Sequence, residues 1–146
     1  MSSQLTRKYW AYLHDQVEYH ERECCQAIYN HPYQDEMRVA AETYDWLAKE
    51  FSLCFATAVS AVGGMEDGLN AEETSEFLQR LDQKIEHFTL AQEQLQHKKQ
   101  AALTAAHDWE YHQVRRTYQE MENLTERETA AYRNSRQQFL RLLEDE

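Results

Sequence analysis

Between Met37 and Val62 the apolar residues recur at alternating steps of three and four: Met37, Ala40, Tyr44, Leu47, Phe51, Cys54, Ala58 and Ala61. That spacing is the seam of an amphipathic helix. A second stripe, Val39, Trp46 and Leu53, repeats every seven residues on a different side of the same helix. No charged residue occurs from Phe51 to Met65, so the last turns are apolar or small all round. A helix hydrophobic on several faces is buried on several faces, in the middle of a bundle or beneath a partner. Residues 51–62 fall short of the roughly 20 apolar residues that cross a bilayer, so no membrane insertion is expected.

The pattern predicts further helices on either side. One runs over about residues 3–30, with the seam Trp10, Leu13, Val17, His20, Cys24 and Ala27; His20 takes a place where a hydrophobe belongs. Asn30-His31-Pro32 then interrupts the chain, because proline disfavours a helical residue before it and tolerates only the first helical turn. The organising helix is expected over 35–62, ended by Gly63-Gly64. Asn70 with Glu73 three residues on is a capping-box pattern.

The third helix is expected over 71–122, along Leu78, Leu81, Ile85, Phe88 and Leu95. Its seam weakens through Lys99, Ala102 and Ala106, and beyond Trp109 the register shifts by one residue to Val114, Tyr118, Met121, Tyr132, Phe139 and Leu142. The shift predicts a rewinding or break near 98–114, and Asn123 or Thr125 offers a fresh helix start, giving a fourth helix over 125–144. Two architectures satisfy this reading. In one, an antiparallel helical hairpin, a coiled coil with a proline-broken first arm, reaches about 90–110 Å. In the other, the second arm folds back into an up-down four-helix bundle.

Composition narrows the class. One Pro and three Gly in 146 residues, with no alternating strand pattern, read as a single all-α domain. A net charge of -11 argues against nucleic-acid or anionic-membrane partners, which are themselves negative. The acidity is uneven: residues 1–76 hold 5 Lys/Arg against 14 Asp/Glu, and residues 77–146 hold 10 against 12. The acidic half suits a basic partner or is simply a solvated helix face. Three cysteines, Cys24, Cys25 and Cys54, imply no disulfide framework, and MSSQLTRKYW lacks the apolar core of a signal peptide. A reducing cytoplasm is the expectation.

Candidate chemistry is sparse. No Glu-x-x-His, Cys-x-x-Cys, phosphate-binding glycine loop or nucleophile elbow is present. His107 with Glu110 on one helical face, and Asp108 with His112 on another, have ligand-compatible spacing, and an elongated hairpin would set His20 opposite residues near 112. The blander reading is a polar layer that fixes register. No metal, cofactor or catalytic residue is therefore expected. The nine Tyr and three Trp exceed what the seams need, and such side chains favour protein interfaces. Trp46, Val39, Leu53, Tyr9 and Tyr12 are the candidate partner-binding residues, with Trp46 as anchor.

The second arm carries a family resemblance. Phe77-Leu-Gln-Arg-Leu81-Asp-Gln-Lys-Ile85, the Ala-rich approach to Trp109, Glu122-Asn-Leu124-Thr-Glu126-Arg127 and the acid-ended polar tail resemble the FliJ-type export stalks of flagella, relatives of the YscO proteins of type III secretion. The resemblance spans roughly residues 69–135. It implies a non-enzymatic, chaperone-like or stalk component that contacts an export ATPase. Pro32, the apolar 51–62 segment and the acidic first half depart from that family's pattern. The alternative expectation is an acidic helical inhibitor or immunity-type protein that covers a basic site on a partner enzyme.

Overall fold

The computed structural model describes residues 1–54 and 68–146, and four helices account for nearly all of them. The helices are α1 (Ser3–Gln26), α2 (His31–Leu53), α3 (Ala71–Ala105) and α4 (Tyr111–Glu144). The predicted end of the organising helix, including Ala58, Ala61 and the Gly63-Gly64 stop, lies outside the described residues.

Each helix start has a local cause. Ser2 caps α1 by accepting from the Leu5 amide at 3.2 Å, and Asn30 caps α2 by accepting from Tyr33 at 3.3 Å. Pro32 sits in the first turn of α2, where its missing N–H costs nothing. The helix thus begins at His31, four residues before the expected start, and α1 ends at Gln26, four before its expected end. The capping box at α3 forms as the sequence predicts: Glu73 N donates to Asn70 Oδ1 at 2.8 Å and Asn70 N to Glu73 Oε1 at 2.9 Å.

The one-residue register shift resolves into a full reversal of the chain. Ala106 is extended, and Glu110 closes the turn by accepting the His107 amide on Oε1 at 2.8 Å while donating its own amide to His107 O. No glycine or proline is needed. A continuous helix would carry the two seams on different faces, whereas a reversal lets them meet. Helix α4 therefore starts at Tyr111, fourteen residues ahead of the expected 125. Asn123 and Thr125 are absorbed into it, with Thr125 Oγ1 donating to the Met121 carbonyl one turn back.

The compact alternative is the one realised: an up-down bundle of two hairpins rather than a coil of about 100 Å. Helix α4 packs along α3 and α2 and more lightly on α1, and α1 packs along α2. Its centre is an aromatic quartet with one ring from each helix: Tyr9, Phe51, Phe77 and Phe139, all essentially unexposed. Ring centroids are 4.8 Å apart for Tyr9–Phe51, 5.0 Å for Tyr9–Phe139 and 5.1 Å for both Phe51–Phe77 and Phe77–Phe139. Edge-to-face pairs dominate, as ring quadrupoles favour.

The base of the bundle is latched. Met1 N donates to Leu69 O at 2.9 Å, Leu69 N returns a bond to Met1 O at 3.0 Å, and the Ser2 amide donates to the Glu146 carboxylate. Gly68 adopts φ +73°, and a Cβ there would lie 2.4 Å from Met1 O. Only glycine fits that approach.

The hairpins differ in length. At about 1.5 Å per residue, α1 and α2 span about 35 Å and α3 and α4 about 50 Å. With their bases aligned, the second hairpin overhangs the first.

Candidate interaction surface

The five candidate residues do not form one surface. Trp46 is 39 % exposed on the flank of α2, Leu53 is 60 % exposed two turns further, and Val39 is half-buried on the same stripe. Tyr9 is a correction: it has no exposed surface and belongs to the quartet. The expected seam of α1 omitted Tyr9: the buried stripe is Leu5, Tyr9, Leu13 and Val17, and Trp10 packs partly buried at its edge against Phe51. Tyr12 is half-buried against Tyr44, with centroids 6.3 Å apart, and does not join Trp46.

The tertiary structure supplies the neighbours of Trp46. Lys84 Nζ of α3 stands 4.5 Å from its ring centroid, and Tyr132 of α4 meets it edge-on at 6.3 Å. Tyr132 in turn stacks on Phe88 at 5.4 Å. Beside this cluster a shallow cleft of about 290 Å³ is lined by Glu50, Arg80, Gln83, Lys84 and His87. Burial raises the Glu50 carboxyl above its ordinary range, with Lys84 and Arg80 pulling the other way. The flank thus offers a half-exposed indole pinned beneath a cation, an exposed leucine and a mixed-charge cleft. Sequence periodicity finds Trp46, and Tyr132 as a seam residue, but not that Tyr132 and Lys84 flank the indole, because nothing local to α2 reveals which helices lie beside it.

The outward face of α2 carries Asp35, Glu42 and Asp45, paired in part with Arg38 and Lys49 on the same helix. Between hairpins, Arg127 bonds Glu36 at 3.0 Å; within the second hairpin, Arg136 bonds Asp82 at 2.6 Å and Lys99 lies 3.2 Å from Glu122. These pairs fix how α4 sits against its neighbours. The half-exposed Arg136–Asp82 pair adds little to stability.

The histidines separate. His20 stacks on Tyr44 at 5.3 Å and shares a 2.7 Å hydrogen bond between Nδ1 and Gln16 O. It lies near Arg127, so the expected placement opposite residues near 112 is not realised; His107 lies in the α3–α4 turn and His112 in the first turn of α4. Burial holds the His20 imidazole below its ordinary pKa; the Gln16 bond opposes this and the Arg127 charge adds to it. Among the described residues no group of three or more His, Cys, Asp or Glu is placed to hold a metal ion. Cys24, Cys25 and Cys54 are free thiols, and burial pushes the Cys54 thiol up to about 11. Its thiolate, the reactive form, is thereby disfavoured.

No described helix is long and apolar enough to cross a membrane. No protein-family model, curated protein or solved structure matches the chain.

Proposed function

We propose that this protein is a non-catalytic helical interaction module of a multi-protein assembly, docking through the Trp46 flank. The observation that carries the reading is the half-exposed indole held between Lys84 and Tyr132 next to the exposed Leu53. A large, pre-positioned aromatic costs little further ordering on binding, the property of interface anchors.

The resemblance of the second arm supports a more specific form: a stalk or chaperone-like component of type III or flagellar export, working in the cytoplasm against an export ATPase. The acidic outer face of α2 favours a second form, an inhibitor or immunity-type protein on a cationic enzyme. Salt separates the two. A partner held by charge loses affinity steeply as ionic strength rises, and one held by Trp46 and Leu53 does not.

Trp46→Ala tests the shared reading. Binding to the partner captured by the intact chain falls at least about 30-fold, as for an anchor worth about 2 kcal/mol. Because the ring also packs on Lys84 and Tyr132, folding loses about 1–2 kcal/mol, between a surface and a core truncation. A variant that melts normally and binds undiminished would remove the flank from the interface.

A further inference from the structure

The overhang makes a step at one end of the molecule. Helices α2 and α4 run in the same direction, and the Glu36–Arg127 pair sets their relative level. Six residues up from that pair, Asn30 is level with about residue 121. The portion of α4 from Tyr111 to about Glu120 therefore stands clear of the first hairpin by about 15 Å.

Three observations mark this step. Met121 lies in its inner corner and is 44 % exposed, although it shares its seam with the buried Tyr132 and Phe139. The lower tread is the α1–α2 turn, where Tyr29 is 94 % exposed beside the exposed Ile28. The upper tip is the α3–α4 turn, where Trp109 is 82 % exposed. Tyr29 and Trp109 are the most exposed of the large apolar side chains among the described residues, and they occupy the two treads.

We propose that a second copy of this chain fills the step by two-fold pairing. Inverting one copy lowers its overhang into the notch above the other's first hairpin. The overhang height and the notch depth are equal because they are the same offset, so the shape is self-complementary. The rotation lays Trp109 of each copy on the Tyr29 turn of the other, twice over, as an isologous interface requires. The cross-section then remains four helices wide, and Met121 gains the cover that the short hairpin withholds.

Charge selects this end for self-association. Residues 96–124 hold four Lys/Arg and four Asp/Glu, so the whole excess of -11 lies elsewhere. Two copies meeting side by side would oppose like charges, and copies meeting at the step do not. This surface is distinct from the Trp46 flank, and the inference does not depend on the proposed function.

Sedimentation equilibrium of the purified full chain, from about 1 µM to 1 mM, tests the pairing. The mass rises from 17.4 kDa to twice that value and no further. Trp109→Ala and Tyr29→Ala each raise the dissociation constant at least about tenfold with unchanged thermal melts, and Trp46→Ala leaves that constant within about twofold. A monomer throughout, growth beyond the dimer, a dimer indifferent to both tread substitutions, or one weakened by Trp46→Ala would each overturn the proposal.

Discussion

The base of the bundle and its overhanging end are built from the same helices with opposite results. Along one seam of α4, Phe139 is wholly buried and Met121 is nearly half exposed, five turns away. Nothing in their own helix distinguishes them. At the base a ring from each of the other three helices closes on Phe139. At the overhang only α3 faces α4, and two helices cannot enclose a side chain from all sides. An apolar seam therefore specifies a direction for burial, and the number of neighbours decides how much burial is achieved.

The comparison breaks most severely at Phe51. Placing a carboxylate among the quartet with Phe51→Asp costs several kcal/mol and unfolds the bundle, read as loss of cooperative melting. An unaltered melt would show that the quartet is not the core.

The paired truncations Phe139→Ala and Met121→Ala compare the two regions on one seam. The first loses about 3–5 kcal/mol by lost burial and cavity formation, and the second less than about 1 kcal/mol. Equal losses in denaturant titrations would mean that the overhang is as firmly packed as the base. At the latch, Gly68→Ala combines a left-handed backbone with a clash on Met1 O and costs about 1–3 kcal/mol. Calorimetry reads this directly, and a neutral result would remove the latch from the folding unit.

The smallest effect is a pH dependence at the junction of the hairpins. The folded pKa of His20 is depressed, so its contribution is present above the ordinary value of 6.5 and is lost as pH falls through the lower folded value. Glu50 and Glu128 act oppositely: burial raises both, so protonating them favours the folded state. Replacing His20 by Gln removes only the first effect. The melting temperature of His20→Gln consequently drops less than that of the wild type between about pH 7 and 5. Identical pH profiles would show that His20 titrates alike folded and unfolded.

Much of this architecture was legible from residue spacing. The seam Met37, Ala40, Tyr44, Leu47 and Phe51 is buried throughout its length, because a 3.6-residue period leaves one face for the core whatever covers it. The Asn70–Glu73 box and the break after Ala105 are likewise local events, settled within a few residues. The identity of the covering groups was not local. Tyr9, read as an interface residue among the clustered aromatics, is a core ring because Phe77 and Phe139 converge on it from residues far along the chain.

Trp46 shows the converse. Its stripe, off the core seam, is visible in the sequence, but the Lys84 ammonium and the Tyr132 ring that hold the indole come from two other helices. The choice between a long coil and a bundle also lay beyond spacing alone, since either satisfies the same seams. Spacing determines which face of each helix is apolar. Which helices meet, at what level, and how far one hairpin outruns the other depend on the summed burial of four helices at once.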